Sequence, residues 1–231
     1  MDPVVMAAGE GRRLRPLTER WPKPLLPIDG RPVLATLLQE LAAAGFKETT
    51  IVVGHLGHQI RAFVGDGSAF GLAVRFADQP EPVGSADAVV RALDAGAEAP
   101  LLVTAADTVY RTGDVGLAAH AWLESGTAGG VGVRVDSGPD RTPVRAAAGR
   151  LLAFGEDDPS GLSGAPLWFL DEGIAAMLGS LPGPPFALGD AFTAALAEGK
   201  EIAALDLGPT RDLTRPTDVI LRNFPYLWNE R

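Results

Sequence analysis

The chain has 231 residues, of which 46% are hydrophobic and 21% charged, a composition typical of a globular protein with a sizeable core. It has no cysteine, which excludes disulfides, thiolate metal sites and cysteine nucleophiles. The net charge of −9 argues against a nucleic-acid partner, because nucleic-acid binding usually needs a basic face. No run reaches the roughly 18 apolar residues of a membrane span, and no basic segment precedes the first apolar run as in a secretory signal. We therefore expect a cytoplasmic protein with neither nucleic-acid nor membrane partners; its oligomeric state is not predicted.

Apolar runs of strand length alternate with segments of helical period through the first 135 residues. Strands are predicted at residues 3–7, 49–53, 72–77, 101–105 and 130–135. Helices are predicted at residues 33–41, 58–64, 85–93 and 115–123. This alternation indicates βαβ units and a mainly parallel sheet. Because α/β folds often exceed 200 residues as one unit, we expect residues 1–231 to form a single domain.

The pattern after residue 135 is less regular. Short strands at residues 143–147, 151–154 and 165–169 indicate an added antiparallel layer. The remaining predicted elements are helices near residues 171–178 and 191–198, a strand at 201–207 and a last helix from about Thr217. The expected fold class is therefore α/β.

A long loop rich in glycine, proline and arginine follows the first strand, from Ala8 to about Gly30. Residues 9–24 contain five Arg and Lys residues against two Glu, a local charge of +3, so the rest of the chain carries −12. A basic island in an acidic protein favours a site for a compact polyanion such as a triphosphate, although a solvated basic loop would look the same. A loop that leaves the carboxyl end of a parallel strand also lies where open α/β sheets bind ligands.

The residue types in this loop suit phosphate binding. Gly9 and Gly11 lack side chains, so the backbone can approach phosphates closely and offer its N–H groups. Arg13 can supply a bidentate fork and Lys23 a point charge. Two common phosphate motifs are excluded, because the dinucleotide fingerprint would need a third glycine where Leu14 stands and no Gly-Lys-Ser/Thr sequence is present.

The loop carries a specific family resemblance. Residues 6–18 read M-A-A-G-E-G-R-R-L-R-P-L-T, and residues 22–28 read P-K-P-L-L-P-I. This segment resembles the signature of the sugar-phosphate nucleotidyltransferases, which reads roughly L-A-x-G-x-G-[ST]-R-L-x-P-L-T and then P-K-P-[LM]-[LV]-P-[VI]. The match extends over more than twenty residues at the expected spacing.

The resemblance implies roles for individual residues of the loop. Arg13 would contact the phosphates, and Lys23 would stabilise the transition state. Arg12 stands where the family has Ser or Thr, which leaves open whether it adds a phosphate contact or points outward. The backbone implied to bind the nucleotide belongs to Ala7, Ala8, Gly9 and Gly11.

A second segment, residues 79–88, reads Q-P-E-P-V-G-S-A-D-A. It resembles the family's Q-x-x-P-x-G-[ST]-A stretch, which lies over the nucleobase. On that resemblance Gln79 and Gly84 would read the base, and the amide of Gln79 would suit a uracil or thymine edge. The alternative is a proline loop in which Ser85 is simply the N-cap of the next helix.

Two carboxylates are implied as magnesium ligands. Asp107 follows the apolar run 101–106, where the family has an Asp that holds Mg²⁺ and faces the sugar phosphate; the alternative is a helix cap or turn residue. Asp212 opens a segment, residues 212–218, that is similar to the family's late D-[IVT]-G-T-P-E-D motif, and it would be the second carboxylate. Mg²⁺ usually takes one or two carboxylates plus phosphate oxygens and water, so two aspartates are sufficient in kind.

The segments that would bind the sugar depart more from the family. Glu156 corresponds to the Glu of the E-K-P stretch, but the Lys is replaced by Asp157. Gly164 lies where the family has Asn-Ala-Gly. Both are implied to contact the sugar phosphate together with Asp107, and the identity of the sugar is not predicted.

The resemblance implies Mg²⁺-dependent transfer of a nucleoside monophosphate from an NTP, with UTP or dTTP favoured, to a sugar 1-phosphate. It also implies a three-layer, Rossmann-like fold with a mixed, mainly parallel sheet and helices on both faces. The nucleotide-binding half would be about 1–135 and the sugar-binding half about 136–231. The first hundred residues are similar to N-acetylmuramate 1-phosphate uridylyltransferases. Two alternatives stay open: a nucleotidyltransferase for a non-sugar phosphate, and a non-catalytic homologue that senses nucleotides.

Overall fold

The computed structural model describes residues 1–136, 141–155 and 161–224. The strands are β1 (Asp2–Ala7), β2 (Pro27–Ile28), β3 (Arg31–Pro32), β4 (Glu48–Val53), β5 (Ala73–Asp78), β6 (Leu101–Ala105), β7 (Thr108–Val109), β8 (Gly129–Val135), β9 (Val144–Ala147), β10 (Arg150–Phe154), β11 (Leu162–Leu170), β12 (Ile202–Asp206) and β13 (Arg211–Asp212). The α-helices are α1 (Val33–Ala43), α2 (Gly57–Val64), α3 (Ser85–Asp94), α4 (Asp114–Ser125), α5 (Glu172–Met177), α6 (Leu188–Ala197) and α7 (Pro216–Asn223). Within these ranges no helix combines the length and apolar character that crossing a membrane requires.

Nine strands form one mixed sheet in the order β5-β4-β1-β6-β11-β8-β12-β10-β9. Strands β5, β4, β1 and β6 are parallel, as are β8 and β12, whereas β11 runs antiparallel to both of its neighbours. Helices α3 and α6 pack on one face of the sheet, and α1, α2 and α4 pack on the other. The predicted three-layer α/β architecture is therefore confirmed.

The expectation of an added antiparallel layer is wrong. Strands β9, β10 and β11 belong to the same sheet as the parallel strands, and β11 lies in its centre between β6 and β8. The alternating burial of β11 ends in a fully buried pair, Phe169 and Leu170, which is the environment of a strand covered on both faces. The sheet consequently continues from the first half of the chain into the second without a break in pairing.

The parallel register brings the predicted site segments to one edge of the sheet. Strand β1 is almost fully buried, as expected for a strand covered on both faces, and its carboxyl end at Ala7 opens the basic loop. Asp107 follows the carboxyl end of β6, and Gln79 follows that of β5. Because parallel strands end at the same edge, these three segments lie around one crevice.

Asp114 fixes the chain that leads from β12 to β13. Its side chain, only 3% exposed at the start of α4, accepts hydrogen bonds from the backbone N–H of Gly208 at 2.9 Å and from Arg111 Nε at 2.9 Å. Gly208 lies four residues before Asp212. The buried carboxylate therefore helps to hold the segment that places Asp212.

We predict that Asp114→Ala lowers the free energy of unfolding by about 1–3 kcal/mol, because the Gly208 N–H loses its buried acceptor. Chemical denaturation measures this change. The matched control is Asp94→Ala, at the exposed end of α3, which should change stability by less than about 0.5 kcal/mol. Equal effects of the two substitutions would contradict the assigned role of Asp114.

Candidate active site

The loop after β1 is folded into three short 3₁₀ turns, at Arg12–Leu14, Leu17–Glu19 and Lys23–Leu25. The hydroxyl of the buried Thr18 donates to the Gly11 carbonyl at 2.9 Å and closes the first of them onto the second. Gly11 has a φ of +63°, and a Cβ there would lie 2.8 Å from a Thr18 methyl group. Both the backbone conformation and the packing therefore require glycine at this position.

A cavity of about 300 Å³, the loop cavity, lies between this loop and the end of β6. Within it, Lys23 Nζ forms a salt bridge with a carboxylate oxygen of Asp107. The predicted residues that line it are Ala7, Gly9, Gly11, Arg12, Arg13, Lys23 and Asp107. The structure thus gathers the cationic side chains and one of the two aspartates around the glycine backbone.

Arg12 lies at the rim of the loop cavity. Its side chain is 71% exposed and donates from Nε to Glu10 Oε2 at 2.7 Å. That hydrogen bond lowers the pKa of the Glu10 carboxyl. In this structure Arg12 points outward and pairs with Glu10, and a contact between Arg12 and a phosphate stays a prediction.

A second cavity of about 280 Å³, the glutamine cavity, is lined by Ala8, Gly9, Gln79 and Gly84 among other residues. The Gln79 side chain is buried, and its Nε2 donates to the Gly84 carbonyl at 2.8 Å and to Asp87 Oδ2 at 2.9 Å. Both amide hydrogens are used, so Oε1 is the polar atom that Gln79 retains for a ligand. Gln79 can therefore accept a hydrogen bond from a base but cannot donate one. Asp87 was not predicted.

Gly84, not Ser85, is the N-cap of α3, so the interpretation of Ser85 as a cap is wrong. Gly84 has φ 137° and ψ 168°, a conformation that is essentially restricted to glycine. A Cβ there would lie 2.1 Å from the carbonyl oxygen of Phe186. Ser85 Oγ instead accepts from the Leu188 N–H at 2.8 Å and joins α3 to α6.

A third cavity of about 240 Å³, the aspartate cavity, contains both predicted carboxylates. Asp212 of β13 pairs across the small sheet with Thr108 of β7, the residue after Asp107. The predicted residues that line the aspartate cavity are Arg13, Lys23, Asp107, Gly164 and Asp212. Segments from the beginning, middle and end of the chain therefore meet at this place.

The surroundings of Asp212 contain two arginines that the sequence analysis missed. Arg141 donates to both Asp212 oxygens, with Nη2 at 3.3 Å from Oδ1. Arg134, 4% exposed, has Nη1 at 3.9 Å from the same Oδ1 and donates to Thr210. Burial lowers the pKa of the Arg134 guanidinium, and the charge of Asp212 opposes that shift. For Arg134 the sequence did offer a signal, because a charged residue interrupts the apolar run of β8.

The carboxylate oxygens at this site suit a hard divalent cation whose remaining ligands come from the substrate and water. Asp107 and Asp212 line one cavity, and the described residues contain no group of three or more His, Asp or Glu side chains that could hold a metal alone. Mg²⁺ bound through one or two carboxylates, phosphate oxygens and water matches this arrangement. Asp218 is not part of it, because its carboxylate caps α7 by accepting from the N–H groups of Thr214 and Arg215 at 2.7 Å. Glu156 lies outside the described residues.

We predict that Gly84→Ala lowers the free energy of unfolding by about 1–3 kcal/mol and weakens nucleotide binding, because alanine is strained at this φ and its Cβ displaces Phe186. Denaturation and nucleotide titration measure the two effects. Gly179→Ala is the control, since the φ of Gly179 is not positive and a Cβ added there would meet no atom within 4 Å. A Gly84→Ala protein that is as stable and binds nucleotide as tightly as this control would refute the assignment.

Two curated relatives share the first part of the chain. An N-acetylmuramate alpha-1-phosphate uridylyltransferase of Neisseria meningitidis serogroup B is 40% identical over 112 residues, which cover 47% of this chain and 48% of the relative. A glucose-1-phosphate thymidylyltransferase of Streptomyces griseus is 44% identical over 94 residues, which cover 41% of this chain and 26% of the relative. The match thus spans about half or less of the length of either relative.

Solved structures show the same fold over nearly the whole chain. A UDP-glucose pyrophosphorylase complexed with UDP-glucose superposes with a TM-score of 0.83 at 18% identity, covering 99% of both chains. The inositol-1-phosphate CTP transferase from T. maritima superposes with a TM-score of 0.80 at 17% identity, covering 94% of this chain and 90% of the other. The family model described as nucleotidyl transferase matches residues 2–139, more than half of the sequence. The chain belongs to the nucleotidyl transferase family.

Proposed function

We propose that this protein transfers a nucleoside monophosphate from an NTP to a sugar 1-phosphate and releases pyrophosphate, with Mg²⁺ as cofactor. The observation that carries the proposal is the convergence of Arg13, Lys23, Asp107 and Asp212 on the aspartate cavity. The names of the curated relatives, a uridylyltransferase and a thymidylyltransferase acting on sugar 1-phosphates, support the same reaction class.

The three cavities are neighbours, and we propose that together they hold both substrates. The glutamine and loop cavities share Met6 and Gly9, and the loop and aspartate cavities share Arg13, Lys23 and Asp107 among their lining residues. We place the base in the glutamine cavity, the triphosphate in the loop cavity and the acceptor in the aspartate cavity. On this assignment residues 1–135 supply most of the nucleotide contacts, and the later residues Gly164 and Asp212 contact the acceptor side.

The base assignment follows from the orientation of Gln79. Its Nε2 is engaged by Gly84 and Asp87, which leaves Oε1 as an acceptor. The N3–H of uracil or thymine is a donor that matches this acceptor, whereas N3 of cytosine is itself an acceptor. Guanine offers a similar donor at N1–H, so the choice also rests on the names of the curated relatives, a uridylyltransferase and a thymidylyltransferase. On both grounds we propose UTP or dTTP as the nucleotide substrate.

The chemistry needs positioned charge more than proton transfer. An acceptor phosphate is already ionised near neutral pH, so its oxygen can attack the α-phosphorus without a general base. Lys23 and Arg13 lie where the loop and aspartate cavities join, and they would stabilise negative charge on the α-phosphate and the departing pyrophosphate. Asp107 and Asp212 would hold Mg²⁺, which supplies further charge neutralisation when bound.

Pyrophosphate release tests the proposed function directly. The purified protein is incubated with Mg²⁺, each of four NTPs, and a panel of sugar 1-phosphates together with inositol 1-phosphate and phosphorylated polyols. We expect release that depends on both substrates and is fastest with UTP or dTTP and a sugar 1-phosphate. Pyrophosphate release only with inositol 1-phosphate or a phosphorylated polyol would show that the acceptor is not a sugar 1-phosphate. Nucleotide binding without pyrophosphate release for any substrate pair would favour a nucleotide-sensing homologue.

We predict that Lys23→Ala lowers kcat by about 10²-fold or more, because one preorganised charge at the α-phosphate is lost. Steady-state kinetics of pyrophosphate release measure this change. Lys47→Ala is the matched control: Lys47 is exposed and precedes the amino end of β4, at the opposite edge of the sheet. If Lys23→Ala and Lys47→Ala had the same turnover, Lys23 would have no part in the mechanism.

A further inference from the structure

Two residues that line the aspartate cavity each carry a buried donor without a hydrogen-bond partner among the described residues. The donors are Nε of Arg134 and the indole N–H of Trp168, neither of which is bonded within the described part of the chain. An Asp136 oxygen lies 3.9 Å from Arg134 Nε, beyond hydrogen-bond distance. Buried polar groups are nearly always paired in folded proteins, so these two donors need an acceptor, which a ligand rich in oxygen atoms would supply. A third donor that is unpaired within the described ranges, the indole N–H of Trp122, belongs to a residue that does not line this cavity.

The charge of the aspartate cavity points to the same class of ligand. Its lining side chains include four cations and two carboxylates, a local charge of +2 in a chain whose net charge is −9. The cations are Arg13, Lys23, Arg134 and Arg141, and the carboxylates are Asp107 and Asp212. A phosphate monoester dianion would balance this excess, and guanidinium groups match phosphate oxygens in shape as well as charge.

The two arginines flank the side of the cavity that we assign to the acceptor. Arg134 lies on β8 opposite Ser163 of β11, next to the predicted sugar contact Gly164. Arg141 precedes Thr142, whose carbonyl accepts from the Gly164 N–H at 2.9 Å. The backbones of both arginines therefore lie near Gly164, and neither arginine lines the loop cavity or the glutamine cavity.

Arg141 also occupies the carboxylate that is proposed to bind the metal. It donates to both oxygens of Asp212 and, from Nε, to Asp136 Oδ2 at 2.9 Å. A carboxylate that accepts from both ends of a guanidinium fork cannot offer the same lone pairs to a cation. A divalent cation at Asp212 competes with the fork for these oxygens and repels its positive charge, so metal binding there favours release of Arg141, whose donors then remain beside the same cavity.

We propose that Arg134 and Arg141 bind the phosphate of the acceptor, and that Arg141 exchanges Asp212 for this phosphate when a divalent cation occupies Asp212. This inference rests on the proposed function, which it deepens by assigning the acceptor-binding cations. Trp168 supplies a neutral donor beside them. Cation binding at Asp212 and anion binding at Arg141 each weaken the same ion pair, so the two events favour each other.

The test measures binding to substrate-free protein. Isothermal titration with glucose 1-phosphate or inorganic phosphate follows the anion site, and electron paramagnetic resonance of free Mn²⁺, titrated without phosphate, follows the cation site. We expect Arg141→Ala to weaken anion binding by roughly 10-fold or more, since charge-assisted hydrogen bonds are lost. The same substitution should tighten Mn²⁺ binding by about 5-fold or more, because it frees Asp212. Arg134→Lys should weaken anion binding and leave the Mn²⁺ affinity close to that of the wild type.

Arg145→Ala is the matched control, because Arg145 lies exposed on the nearby strand β9 and does not line the aspartate cavity. It should change neither affinity. Weakening of both affinities in Arg141→Ala would indicate a merely structural role and overturn the proposal, as would an unchanged anion affinity. Failure of the proposed function is a separate result: no turnover with any substrate pair, while phosphate binding still depends on Arg141, would leave an anion site without transfer activity.

Discussion

The ion pair between Lys23 and Asp107 is the contact around which the proposed site is built. It joins the loop after β1 to the end of β6, two segments that are 84 residues apart in the chain. Both residues line the loop cavity and the aspartate cavity, so the pair marks the boundary between the two. A cation and a carboxylate at that boundary are suited to the place where a nucleotide α-phosphate and an acceptor phosphate would meet.

The mixed sheet gives this boundary a rigid support. Asp212 reaches it through the pairing of β13 with β7, and Asp114 holds the preceding turn. The buried hydroxyl of Tyr110 donates to the carbonyl of Pro166, which lines the aspartate cavity, at 2.7 Å. Burial raises the pKa of that hydroxyl, so Tyr110 remains a neutral donor. On the proposals above, the carboxylates and arginines are the groups that rearrange when ligands bind.

Local sequence patterns were sufficient to predict most of the helices and longer strands and to single out the glycine loop. Arg13 and Lys23 lie in one loop whose charge and glycines favoured a phosphate site, but it was the family resemblance, not the spacing alone, that implied the role of each residue. The central place of β11 was not predictable, because strand order depends on pairing between distant segments. Arg141 and Asp87 were missed for a similar reason. Arg141 matters because it binds Asp212, and Asp87 matters because it binds Gln79, and sequence spacing reveals neither contact.

A crystal structure with Mn²⁺ and a UTP analogue that cannot be cleaved between the α- and β-phosphates tests the central claim most directly. The account predicts an anomalous Mn²⁺ peak coordinated by Asp107 and Asp212 and by the α-phosphate, with Lys23 Nζ within hydrogen-bond distance of the same phosphate. A metal bound away from both carboxylates, or a triphosphate seated outside the glycine loop, would contradict it.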